Sequence, residues 1–313
     1  MAADVIAEAL AAGPRATLAV MYHYVRPPDA GLSGIVPLTP AAFRHQLELL
    51  TRHFDVVDPD TLPDGRPTSR PKAVITFDDG TRDQYDFAFP ILREMGLPAV
   101  IACISGPRLL GMVPTVHLVH LLLSKLGARG LWAEVEAGGG IPADFPYEKS
   151  RSVYHYESDA DRAHVKYLMN FVLGPLEAQR LASEVHARAI GPVEQLARDW
   201  YVTDEQIREM SGAGIRFAVH AQRHLPLFGP LERFYEDELK PCESWLEGLT
   251  GKRPDSYAAA FGGNSTEGLT VDALAALMRS KGYRQIYTTR PGLNLGDRFF
   301  VERVDCNKLP TGG

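Results

Sequence analysis

Asp78 and Asp79 stand side by side at the end of Lys72-Ala73-Val74-Ile75-Thr76-Phe77, with Gly80 directly after them. His220 and His224 bracket the short run His220-Ala221-Gln222-Arg223-His224. Two imidazoles four residues apart can converge on one ion. With one carboxylate they make the three-ligand set, with an open fourth position, that catalytic divalent metal sites use. Successive side chains of a strand point to opposite faces, so the two aspartates need not share one job. Taken singly, each stretch has a plainer reading. Asp-Asp-Gly is common turn chemistry, and His220 fits a satisfied core histidine with His224 at the surface.

Strands must present both stretches. Ala73 to Phe77 is a β-rich run too short for a helix, so Asp78 and Asp79 fall at a strand's C-terminal edge. Gly80 makes the turn, and Thr81-Arg82-Asp83-Gln84 has the capping-box pattern of a helix running to Met95. Ile215 to His220 is a second such strand, preceded by another capping box at Thr203-Asp204-Glu205-Gln206. Further strands are expected at 17–25, 55–57, 98–105, 256–261, 285–289 and 299–305, and helices at 40–54, 231–249 and 271–281. This alternation predicts an α/β fold, a distorted (β/α) barrel of about seven parallel strands with functional residues at the strands' C-terminal ends. The rhythm breaks between 107 and 200, where helical patterns at 115–126, 131–136, 159–173 and 176–189 follow one another. We read residues 1–313 as one domain carrying a helical insertion at 107–200.

The 313 residues carry a net charge of -6, which argues against nucleic acid or an anionic membrane as partner. No uncharged apolar run is long enough to span a bilayer, and the N-terminal stretch, with Asp4 and Glu8, does not read as a signal peptide. Cys103, Cys242 and Cys306 are scattered, which fits reduced thiols in the cytoplasm rather than a disulfide framework. Oligomeric state is not legible.

Taken together, Thr76-Phe77-Asp78-Asp79-Gly80 and His220-x-x-x-His224, roughly 140 residues apart, resemble the first two motifs of the polysaccharide deacetylases, the NodB-like carbohydrate esterase family 4. Phe261-Gly262-Gly263 is similar to the third. The resemblance spans 17–106 and 203–305 and leaves out the insertion. It implies that Asp78 is the general base, that Asp79, His220 and His224 hold one divalent metal ion, zinc, and that the Phe261 backbone N–H stabilises the oxyanion. The division of labour is chemically sound, because a metal-bound water needs a base within hydrogen-bond reach.

The chain departs from the family pattern at three places. Ala260 stands where proline is usual, and Ala221 and Arg223 fill positions often held by small hydroxyl residues. The late Leu-x-His motif is missing, since no histidine follows His224; the matching strand offers only Glu302, Arg303 and Asp305. The general acid must come from elsewhere, with His23 as first candidate and His155 as second, or from Asp78 once it has taken the water's proton. Tyr24, Tyr154 and Tyr156 are candidate sugar-binding rings, the last two as part of a lid.

The resemblance thus implies a metal-dependent hydrolase that removes an N-acyl group, N-acetyl in the first instance, from an amino sugar. Together with the intracellular signals, it points to a small or carrier-linked precursor in glycan or antibiotic biosynthesis. The alternatives are an N-deformylase or metal-independent amidohydrolase on the same fold, or an inactive sugar-binding homologue.

Overall fold

The structure, a computed structural model, describes residues 2–64, 68–227, 229–263, 271–296 and 298–312. It divides into two compact units, one made of 1–27, 37–105 and 200–313, the other of 28–36 and 106–199.

The first unit contains every strand among the described residues: β1 (Ala16–Tyr22), β2 (Asp55–Val56), β3 (Lys72–Phe77), β4 (Val100–Cys103), β5 (Arg216–Val219), β6 (Ser256–Ala258), β7 (Gln285–Tyr287), β8 (Asn294–Leu295), β9 (Phe300–Val301) and β10 (Arg303–Asp305). Their lateral order is β10-β1-β3-β4-β5-β6-β7-β9, parallel throughout, with β2 added to β3 and β8 antiparallel on β1. The two ends of that order are one stretch of chain. The single strand expected at 299–305 is broken at Glu302, whose N–H donates to Asn294 Oδ1 at 2.9 Å. Its first half pairs with β7 and its second with β1. This closes a distorted (β/α) barrel of seven parallel strands, the last shared between its two edges.

Side-chain alternation sorts the strands into two cores. Leu18, Val20 and Tyr22 on β1, Ala73, Ile75 and Phe77 on β3, and Ile101, Val219, Tyr257 and Ile286 belong to the larger cluster. It includes Phe43, Leu47 and Leu50 from the helix Pro40–His53, Phe89 and Leu92 from Phe89–Met95, and Leu246 from Lys240–Thr250. The opposite parity gives Ala19, Val74, Val100, Ala102, Ala218, Ala258, Tyr287 and Val301, which pack together as the barrel interior. Four of these eight are alanines, because a closed ring of short strands leaves little room inside.

The 203–206 capping box forms, with Thr203 Oγ1 accepting from Gln206 N–H and Gln206 Oε1 from Thr203 N–H. The one expected at 81–84 does not. Gln84 turns its amide to the carbonyls of Asp78 (2.6 Å) and His23 (3.0 Å), and the helix opens with a π turn at Gln84–Ala88. Those carbonyls lie at strand ends, where the barrel ladder no longer supplies them a partner.

In the second unit, helices Thr115–Ala137, Tyr147–Val153, Ala160–Tyr167, Pro175–Ala189 and Val193–Trp200 bury Leu118, Val119, Leu122, Leu131, Val135, Leu181 and Val185. Gly127, at φ 69°, kinks the first helix between the two patterns read at 115–126 and 131–136. No helix among the described residues is long and apolar enough to cross a membrane.

Candidate active site

Parity carries three charged groups to the C-terminal mouth of the barrel. Asp78 continues the inward row of Val74 and Thr76, His220 that of Ala218, and Arg303 that of Val301. Asp79 would by the same rule face outward. Its φ of 81° breaks the alternation and turns its carboxylate back. Left-handed backbone at a non-glycine residue costs on the order of 1–3 kcal/mol and persists where the surroundings impose it. Gly80, at φ 69°, completes the turn against β4, where a Cβ would meet Cys103 Sγ at 2.8 Å.

The result is a buried cluster in which Asp79 Oδ1 lies 3.3 Å from His220 Nε2 and 3.7 Å from His224 Nε2. The three ligand atoms are all within 4.8 Å of one another. His220 Nδ1 is 2.7 Å from the Ala258 carbonyl, which can only accept, so Nδ1 carries a proton and Nε2 presents its lone pair to Asp79. A lone pair facing a carboxylate oxygen needs a cation between them. In metal-free protein a second proton serves: burial would lower the His220 pKa, but Asp78 and Asp79 together raise it. A divalent ion fits the same place, since two imidazoles and one carboxylate are a zinc-type donor set, and the Nδ1–H to carbonyl bond is the usual support of a metal-binding histidine.

Asp78 is held otherwise. Arg303, itself fully buried, donates from both terminal nitrogens to the two Asp78 oxygens at 2.6 and 2.7 Å. Its Nε–H goes to the Thr288 carbonyl at 2.8 Å, and one terminal nitrogen also reaches Thr76 Oγ1 at 3.2 Å. Burial alone would raise the Asp78 pKa. The charge of Arg303, then that of His220, outweighs it and holds the carboxyl below the usual range.

His23 follows Ala19 and Met21 in the inward parity of β1, and its Nε2 stands 4.0 Å from Asp78 Oδ2. Its side chain is 39 % exposed where that of Asp78 is 3 %, so it lies on the open side of the carboxylate. Its backbone is pinned from below: Gln84 Nε2 donates to the His23 carbonyl, and Val25 N–H donates to Asp83 Oδ2 at 2.6 Å. His155, the second candidate acid, is an exposed residue of the second unit next to Tyr156.

Phe261 is not on the expected strand, because β6 ends at Ala258 and the chain passes into a 3-10 turn, Ala260–Gly263. Phe261 has φ 53°, and its ring lies edge-on to His224 with centroids 5.0 Å apart. Tyr24 is buried edge-on against Trp200, 6.2 Å between centroids. Burial first and Asp79 second raise its hydroxyl pKa, and Asp79 adds to the same burial effect at Tyr201. Tyr154 is buried within the second unit, where its hydroxyl accepts from Asn170, while Tyr156 is exposed.

The sequence placed Asp83 and Gln84 in a helix cap rather than against Val25 and His23, and it carried no sign of Arg303 as the partner of Asp78 or of Glu238. Arg303 was visible as the single cation of the last strand, between Val301 and Val304 with Glu302 beside it, but its destination was not.

No protein-family profile matches the chain, and no curated protein does. Solved structures match it along most of its length. The Streptococcus pyogenes deacetylase PplD, solved in complex with acetate, aligns with TM-score 0.55 and 16% identity over 93% of this chain and 92% of that one. IcaB from Ammonifex degensii aligns with TM-score 0.55 and 17% identity over 92% and 91%. A de-N-acetylase from Aggregatibacter actinomycetemcomitans aligns with TM-score 0.52 and 15% identity over 95% and 96%. The fold of this chain is that of the polysaccharide deacetylases.

Proposed function

We propose that the protein is a carbohydrate N-deacetylase, a metal-dependent hydrolase that cleaves the amide of an N-acetylated amino sugar. The observation that carries the reading is the sorting of two adjacent aspartates. Asp79 joins His220 and His224 in a compact donor set, while Asp78 is kept ionised by Arg303 beside it. A divalent ion held by Asp79, His220 and His224 would acidify a water and polarise the acyl oxygen. Asp78, charged at neutral pH, takes the proton of the attacking water as its oxygen bonds to the acyl carbon. The Phe261 N–H is assigned to the acyl oxygen as negative charge gathers there. His23, open to solvent beside Asp78, gives its proton to the sugar nitrogen as the C–N bond breaks, leaving free amine and acetate.

Zinc is the ion that this donor set favours. Cys103, Cys242 and Cys306 are buried free thiols, which supports a reducing compartment and therefore a cytoplasmic sugar precursor, free or carrier-linked. We assign Tyr156 and the insertion to substrate recognition.

The test is amine release from N-acetylglucosamine-containing substrates, a sugar nucleotide among them, by protein reconstituted with zinc. Turnover that vanishes on chelation and in a His220→Ala, His224→Ala double variant is the expected result. Turnover by the chelated protein would favour the metal-independent amidohydrolase. Tight sugar binding without turnover would favour the binding homologue, and preference for an N-formyl substrate would make it a deformylase.

A further inference from the structure

From His220 to His224 the backbone enters the left-handed region twice, at Ala221 (φ 68°) and at His224 itself (φ 55°). Neither residue is glycine, so this shape does not hold itself. One side chain grips the segment from outside. Glu238 is fully buried in the π turn Tyr235–Leu239 and reaches the single residue before His224 by two bonds. Arg223 N–H donates to Glu238 Oε2 at 2.9 Å, and Arg223 Nε–H donates to Oε1 at 2.5 Å. An ion pair with one partner buried and the other a third exposed is a weak source of stability, because desolvation of the carboxylate offsets much of an attraction that solvent already screens. Its content is geometric. Binding the backbone and side chain of one residue at once fixes both the path and the rotation of the chain there, and π turns of this sort recur at functional sites.

We infer that Glu238 is a positioning residue for the metal centre. Through Arg223 it holds His224 in its ligand-presenting orientation, and so sets the site's affinity for a divalent cation. The inference rests on the metal reading above. Ala221 leaves the segment without a side-chain hydrogen bond of its own at that position, so the clamp at Arg223 fixes the shape that the sequence between the histidines does not.

Zinc titration of the full-length metal-free protein against a competing chromogenic chelator tests this in the wild type, Glu238→Gln and Arg223→Ala. Wild type should bind one zinc per chain. Glu238→Gln should weaken binding about 10- to 100-fold, as removal of outer-shell support typically does. Arg223→Ala, which keeps the backbone bond, should weaken it less. With zinc well above the weakened Kd, deacetylation by both variants should recover to near wild type. Unchanged zinc affinity in both variants overturns the inference while leaving the metal reading intact, and so does a lower melting temperature of metal-free protein with affinity unaltered. A wild type that binds no zinc overturns both. Should Glu238→Gln fail to fold, Arg223→Ala, whose side chain is a third exposed, decides alone: weakened zinc binding supports the clamp, and wild-type affinity overturns it.

Discussion

Arg303 closes on Asp78 through two parallel hydrogen bonds of 2.6 and 2.7 Å, and both residues are buried. The pair reaches across β1, since Asp78 follows β3 and Arg303 opens β10, and β1 lies between those two strands. It also sets the protonation of the group assigned as general base. Removing Arg303 leaves a buried carboxylate without its principal counter-charge, which typically costs about 3–5 kcal/mol. Arg303→Met should therefore lower the melting temperature. Because Arg303 lowers the Asp78 pKa, its loss raises it, and the acid limb of the kcat/KM profile should move to higher pH. An unmoved acid limb in a folded variant would assign that limb to another group.

Asp78→Asn should keep the zinc affinity, because Asp78 is not in the donor set, lower the melting temperature, because buried Arg303 loses its counter-charge, and lose about 10²- to 10⁴-fold in turnover, since an amide cannot take the water's proton. Zinc titration and steady-state kinetics on one preparation separate the two effects. Turnover close to wild type would move the base elsewhere.

His23 and His155 make opposite predictions. His23→Ala should lower kcat by about 10²- to 10⁴-fold, and less for substrates whose leaving amine is already activated. His155→Ala should leave kcat near wild type. A kcat loss at His155 with none at His23 would reverse the assignment and make the insertion the donor of the acid. If the insertion recognises substrate, replacing 107–200 with a short linker should lower kcat/KM; an unchanged value in a soluble protein would remove it from catalysis.

Asp83 should make stability depend on pH below neutrality. Burial, only partly offset by the hydrogen bond from Val25 N–H, pushes its carboxyl up to about 6, against about 4 in the unfolded chain. The folded state thus binds the proton more tightly. This group's stabilisation is complete below about pH 4 and is lost as pH rises through about 6. Asp83→Asn should flatten that slope and raise stability at pH 7 by roughly 1–3 kcal/mol. A steeper slope in chemical denaturation between pH 4 and 7 would contradict it.

The sequence by itself determined the elements and the donors. Strand runs are written in β-branched and apolar residues, turns in Gly80 and the Asp pair, and helices in periodic leucines, all local signals that need no partner. Thr76-Phe77-Asp78-Asp79-Gly80 and His220-x-x-x-His224 name their chemistry within a few residues. Tertiary structure alone decided which charge meets which. Arg303 reaches Asp78 across 225 residues because closure sets β10 beside β1, a long-range pairing that no local pattern encodes. Asp79 joins the histidines because a left-handed φ overrides strand parity. Gln84 has the same capping pattern as Gln206 and follows a different course, because two strand-end carbonyls, at Asp78 and His23, stand within its reach. Register, closure and the competition for unsatisfied backbone groups arise only once the chain is folded, and they turned a list of candidate residues into a site.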